Sequence, residues 1–501
     1  MPFPEFPDDA NGIDLERDGE RARQFLQGIQ GNILKGHGRD NARLVFFRFG
    51  SNLEKNQTLL RDAVKDGWTQ SAWQQRELAK QFRPREVKYS GKHQHLRREV
   101  ELLRFGSLSL TTWGLAAVGC VDAAGEAPPR TDFSPGSWPG SFAAGMRRVM
   151  AKAPLPEGHP SLVADWQSVY SEDPATALHG MFVIACDDPA GLKTYQQELV
   201  TWLENHDATA VHFEEGTTWR HKHRDNREPF GFVDGISQPV FFTEDRRGRD
   251  PAEWTWVDLR LSDVFITPEQ SPLHAGGTFL AFVKFEQDVA AFRTHEGVVR
   301  GKLGQSDSYH HAPAFDMGRW RDGCPMHQAW SGPRPTEKDF NRFDYEQQRE
   351  PDTTGCPFHA HIRKMNPRVD ATDLGIARDR IIRAQPVRRG MIHDPQRQLQ
   401  KRSDRGTGRW PSADVGLLFM GYMRDLSRQF EQLHNDWAVD PGFPFRTDQK
   451  VDALLGPGTP AWNWRGTDIP ARGPVVKRLG GHYLYVPSLH WLSAGGRPQN
   501  P

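Results

Sequence analysis

Three times along the chain, an apolar stretch of strand character runs directly into a segment of helical periodicity. His179–Ala185 reads as a strand, and beyond Asp187-Asp188-Pro189 the residues Leu192, Tyr195, Leu199 and Trp202 or Leu203 share one helical face. Thr278–Phe285 reads as a second strand, with a helical stretch near 287–300. Val415–Tyr422 is a third, and its helix starts near Leu426 with Leu426, Phe430, Leu433 and Trp437 on one stripe. An earlier aromatic strand, Leu44–Phe49, leads into a polar helical region at 53–85. This recurrence predicts an α+β fold, and 501 residues exceed one ordinary core. The expected organisation is two α+β halves, residues 1–215 and 216–501, with a long irregular insertion near 302–360 in the second.

Composition narrows the function classes. Lys plus Arg balance Asp plus Glu at 64 each, and no long like-charge run occurs, so a phosphate-dominated nucleic-acid partner is not expected. No apolar stretch is long enough for a membrane span. Met1–Asp14 is acidic and Pro-rich without a basic-then-apolar order, so a cytoplasmic protein is expected, with export by another route left open. The cysteines at 120, 186, 324 and 356 have neither zinc spacing nor the density of a disulfide scaffold.

Chemistry concentrates in two stretches. Gly231-Phe232-Val233-Asp234-Gly235-Ile236-Ser237-Gln238-Pro239 sets one carboxylate in an apolar run. A carboxylate so placed tends towards a raised pKa and can both take and give a proton. Asp-Gly is equally a turn dipeptide. The second stretch is Cys356-Pro357-Phe358-His359-Ala360-His361-Ile362-Arg363-Lys364-Met365-Asn366-Pro367-Arg368. A neutral imidazole is a good iron ligand. On an extended chain His359 and His361 would point the same way, which also suits a non-haem metal pair. His93 and His95 offer a further pair, but their charged stretch reads first as a solvated loop.

Both stretches resemble motifs of the dye-decolourising peroxidases, a haem family. Gly318–Pro325, Gly416–Met420 and, more weakly, Gln27–Gly31 extend the likeness in the family's order over most of the chain. The resemblance implies two ferredoxin-like halves with antiparallel sheets and peripheral helices, and one haem b in the C-terminal half. It makes His361 the axial ligand and Asp234 the acid–base residue over the open face of the haem. A distal arginine is implied too, and two registers fit. Val387-Arg388-Arg389-Gly390 favours Arg388; Ile381-Ile382-Arg383 favours Arg383. Asp425 matches the family's acidic partner of the ligating histidine, although an Asp just before Leu426 also suits a helix N-cap. Leu417 and Phe419, two apart on a strand, are expected to share a face as pocket walls or core, and Ile236 and Ser237 to contact the macrocycle.

The function implied is peroxidase: hydrogen peroxide is reduced, and organic donors such as dyes and phenols are oxidised in one-electron steps. Tyr309, Tyr345 and Trp410 are candidate surface relays by composition alone. A haem carrier or sensor would need His361 but not Asp234; a non-haem metalloprotein would need a third ligand beside His359 and His361. The physiological donor and the oligomeric state leave no motif in the sequence.

Overall fold

The computed structural model describes residues 3–7, 9, 12–81, 104–120, 140–152, 161–221, 225–303, 308–326, 340–345, 355–372, 374–405, 409–444, 451–464 and 466–496. The segment carrying His93 and His95, the side chain of Tyr309 and the chain beyond 496 lie outside them.

Among the described residues nine strands form one sheet: β1 Asn41–Phe49, β2 Phe105–Leu110, β3 Gly180–Cys186, β4 Ala208–Thr217, β5 Thr278–Gln287, β6 Val387–Arg388, β7 Met391–His393, β8 Gly416–Met423 and β9 Val476–Val486. In the first half the order is β2-β3-β1-β4, with helix Leu53–Lys65 between β1 and β2 and helix Pro189–Asn205 between β3 and β4. The second half repeats it as β9-β5-β8 flanked by β6 and β7, with helices Val289–Leu303 and Ser427–Trp437 in the equivalent crossovers. Each half is therefore ferredoxin-like, and its sheet pairings are antiparallel. The halves join at both edges through one residue pair each, Leu110 with Tyr485 and Thr217 with Ile392, so the sheet closes on itself. The first motif ends at Thr217 and the second begins at Thr278.

Strand alternation sorts the side chains. Leu44, Phe46, Met181, Val183, Leu280, Phe282, Leu418, Met420 and Leu484 fill the space the closed sheet encloses. Val45, Phe47, Phe182, Val283 and Phe285 face outwards, where Leu192, Leu199 and Leu203 of helix Pro189–Asn205 cover the first sheet. At 25 cal/mol per Å² of apolar surface, each such side chain contributes roughly 1.5–3 kcal/mol when fully buried. The helix is capped by Asp188, whose carboxylate accepts from Gly191 N.

One chemical stretch lies in the connection between the two motifs and the other in a connection of the second. The Asp234 segment lies between β4 and β5, and residues 304–386 between helix Val289–Leu303 and β6 carry His361. Asp234, Ile236 and His361 line one cavity with Phe285, Leu417 and Phe419 of the second sheet's outer face. Among the described residues no helix is long and apolar enough to cross a membrane.

Candidate active site

The Asp234 connection is a tight turn fixed by its backbone. Asp234 N donates to Asn226 O, Val233 N donates to Arg321 O, and Gly235 N donates to Asp234 Oδ1 at 2.7 Å. Gly231 and Gly235 adopt positive φ of 96° and 85°, conformations that favour glycine. Asp234 is exposed and lines a cavity of about 530 Å³, within the range of cofactor pockets. The apolar enclosure expected around its carboxylate is thus absent among the described residues, because the turn carries it out into the cavity.

Arg388 lines the same cavity. Its Nη2 donates to the carbonyls of Ile236 and Ser237 at 3.2 and 3.1 Å, which ties β6 to the Asp234 segment. Burial lowers its pKa and the Asp234 charge partly offsets this, so the carboxylate and guanidinium act on each other. Arg383 does not reach this cavity. It is half exposed on helix Arg378–Arg383 and pairs with Asp263 and Asp379 at 3.5 and 3.8 Å.

His361 opens the short helix His361–Met365 and also lines the cavity. Its Nδ1 bonds Asp452 Oδ2 at 2.9 Å, which leaves Nε2 as the nitrogen for the cavity. Asp452 is fully buried, and its other oxygen accepts from Leu454 N and Leu455 N, both at 2.8 Å. Burial raises the Asp452 pKa, but His361 and these two N–H groups outweigh it and hold the carboxyl below its usual value. The partner of His361 is therefore Asp452, which corrects the assignment of Asp425. Asp425 accepts from Arg428 N at 3.0 Å, a cap on the following helix, and lines a separate cavity with Arg383. His359 turns away, because the chain enters a helix at 361 instead of continuing extended. It packs edge-on to Trp462, 4.9 Å between ring centres. No cluster of three or more His, Cys, Asp or Glu suited to a metal occurs among the described residues.

The sheet supplies the apolar wall: Leu417 and Phe419 of β8 and Phe285 of β5 line the cavity. Ile236 lines it too and packs against Gly323, where a Cβ would stand 2.0 Å from its Cδ1. Ser237 does not line it; its hydroxyl donates to Asn341 Oδ1 and accepts from Arg319 Nη2 at 2.9 Å. Arg319 is buried, its pKa pulled down to about 9 by desolvation, and it also donates to Gly323 O and Phe340 O. Tyr345 is fully buried and so is no surface residue, whereas Trp410 is half-buried beneath Arg293.

His434 was not anticipated. Segment Ser427–Trp437 is a π-helix, with Glu431 N donating to Leu426 O and Ala438 N to Leu433 O. The wider turn brings both Leu433 and His434 to the cavity. His434 packs at a tilt on Phe430, 4.2 Å between ring centres, and burial pulls its pKa down to about 3. The Leu426–Phe430–Leu433–Trp437 stripe assumes an α-helical repeat, which cannot reveal it. The first half contributes as well: Asn32, Gly36, His37, Arg39 and Asp40 line the cavity, a contribution that only the closure of the sheet produces.

No family model matches the chain. Among curated proteins it is similar to the multifunctional dye peroxidase DyP2 of Amycolatopsis sp. (strain ATCC 39116 / 75iv2), 29% identical over 500 residues and covering 94% of this chain and 96% of the relative. It is also similar to the dye-decolorizing peroxidase msp1 of Mycetinis scorodonius, 28% identical over 346 residues, 63% of this chain and 65% of the relative. The solved structure of DyP2 from Amycolatopsis sp. ATCC 39116 superposes with a TM-score of 0.73 at 26% identity, over 99% of this chain and 100% of that one. The chain is thus similar to dye-decolourising peroxidases over nearly its whole length. A DyP-type peroxidase of Anabaena sp. shares its fold at a TM-score of 0.76 and 23% identity, covering 98% of each chain. The dye-decolourising peroxidases are haem peroxidases, and the cavity's His361 imidazole held at Nδ1 by Asp452, its apolar wall and its distal carboxylate and arginine fit such a group.

Proposed function

We propose that the cavity between His361 and Asp234 is the haem b site of a peroxidase that reduces hydrogen peroxide and oxidises organic donors. One observation carries this reading: one cavity joins an imidazole whose Nδ1 is held by a buried carboxylate to a carboxylate–guanidinium pair. His361 would hold the iron through Nε2. Asp452, by accepting the Nδ1 proton, makes the imidazole a stronger donor. Bound haem supplies the redox chemistry. Asp234 takes a proton from the near oxygen of peroxide and returns it to the leaving oxygen, a role that contributes about 10²–10⁴-fold. Arg388, permanently charged, stabilises the negative charge that develops as the oxygen–oxygen bond breaks. Leu417, Phe419 and Phe285 exclude water from the same space. In this reading residues 216–501 hold the cofactor while the half before residue 215 braces it and supplies one rim of the cavity. Phenols and dyes are the donor class: the relatives' names carry the dyes, and one solved dye-decolorizing peroxidase is a complex with 2,6-dimethoxyphenol.

The test is the absorption spectrum of the haem-loaded protein before and after one equivalent of hydrogen peroxide. The Soret band is expected to shift promptly in the wild type and about 10²–10⁴-fold more slowly in Asp234→Asn. A Soret band that ignores peroxide in the wild type sinks the peroxidase assignment. Loss of the band in His361→Ala, with the fold intact, is the corresponding expectation for the ligand.

A further inference from the structure

Asp234 is exposed on a connection, and among the described residues its own hydrogen bonds reach only Asn226 and Gly235. Something else must hold it at the cavity. The turn leading into it, residues 228–232, closes around a second carboxylate. Glu228 is 9% exposed and lines the same cavity. Its Oε1 accepts from Phe232 N at 2.9 Å; its Oε2 accepts from Phe230 N and from Gln287 Nε2, both at 3.0 Å. The backbone closes the same turn, with Glu228 N donating to Phe232 O and Gly231 N to Glu228 O. Gln287 is the last residue of β5, so the carboxylate fastens the turn to the sheet. On the opposite side Arg227 Nη1 donates to Gly231 O at 2.7 Å and to Arg321 O at 2.9 Å.

A carboxylate suits this position and an amide does not. Three donors converge on two oxygens, and a glutamine has one acceptor oxygen, so its NH₂ would confront an N–H. Burial raises the Glu228 pKa while the bonds from Phe232, Phe230 and Gln287 oppose the rise, in keeping with a carboxylate placed there for its acceptors. A buried carboxylate is an expensive way to close a turn that backbone bonds already close.

We infer that Glu228 is a positioning residue for the peroxide step: it bonds the backbone N–H groups of Phe230 and Phe232 and thereby fixes where Asp234 stands in the cavity. The inference rests on the proton-transfer role of Asp234.

Two readouts on the full-length, haem-loaded protein test it. Amide hydrogen exchange at Phe230 and Phe232 is expected to quicken about tenfold or more in Glu228→Gln, while helix His361–Met365 stays as protected as in the wild type. The rate with peroxide is expected to fall about tenfold or more at unchanged donor kcat/KM, yet by under about twofold when Glu228→Gln is added to Asp234→Asn. Unchanged exchange at the two amides, or a full additive loss in the double variant, overturns the inference. Gln287→Leu removes one donor only and must move both readouts the same way by smaller factors; if it moves neither, the inference also falls. An Asp234→Asn variant with undiminished peroxide reactivity removes the parent reading and this inference together. Normal loss in Asp234→Asn with an additive double variant removes this inference alone.

Discussion

At the scale of single residues, the distal arginine and the partner of His361 are each a choice between two side chains of one type. Arg388 is half-buried against the Asp234 segment, and Arg383 is on the surface with Asp263 and Asp379. Arg388→Leu should therefore slow the reaction with peroxide by about 10²-fold or more, the size of effect seen when one such donor is removed. Arg383→Leu should leave it within about twofold, since exposed ion pairs of this kind contribute roughly 0–1 kcal/mol. Stopped-flow rates at the Soret band decide between them. The carboxylates separate by a different readout. Asp425→Ala should lower stability by about 0.5–2 kcal/mol through the lost cap, with the haem spectrum unchanged. Asp452→Asn should change the iron's spectrum and reduction potential, because the Nδ1 proton of His361 then meets a neutral acceptor.

At the scale of elements, the site depends on loops that meet side chain to backbone. The hairpin of Gly318–Pro325 presents Gly323 to Ile236 with φ of 93° and no room for a Cβ. Gly323→Ala should cost about 1–3 kcal/mol in chemical denaturation and displace Ile236 from the cavity wall, read as weaker haem retention. The π-helix is the other decisive element. An α-helical turn over Ser427–Trp437 would present a narrower stripe, and the wider one adds His434 to the wall beside Leu433.

At the scale of the whole molecule, a buried polar cluster bridges the two halves inside the closed sheet. Glu214 of β4 accepts from Lys284 of β5 at 2.7 Å, from Tyr170 at 2.6 Å and from His212 at 2.8 Å. Burial alone would raise its pKa, but the bonds from His212, Lys284 and Tyr170 outweigh it and bring the carboxyl down to about 2. With the folded value depressed, the unfolded chain binds the extra proton first as pH falls. The stabilisation is complete above the ordinary carboxyl value near 4.5 and is lost as pH falls towards 2. Lys284→Met should cost about 3–5 kcal/mol in urea unfolding at neutral pH, since it strands a buried carboxylate. It should also diminish this contribution to the acid limb of the stability profile, with the His212 and Tyr170 bonds left in place.

Much of the fold and part of the site were legible before any coordinates, for a local reason. Strand alternation and helical periodicity act over a few residues. They give the repeated α+β order, the shared face of Leu417 and Phe419, and the stripe on helix Pro189–Asn205. Turn chemistry likewise marks Gly231–Pro239 as special, and a histidine run marks His361. What the sequence could not decide are meetings between distant segments. Asp452 reaches His361 across 91 residues of chain, and no local pattern distinguishes it from Asp425. Arg388 and Arg383 differ only in whether a strand or an exposed helix carries them. The cavity rim at residues 32–40 exists because two edge pairings close one sheet out of two motifs. Periodicity is a property of neighbours along the chain; the ligand partner, the distal cation and the rim are set by packing, which only the tertiary structure decides.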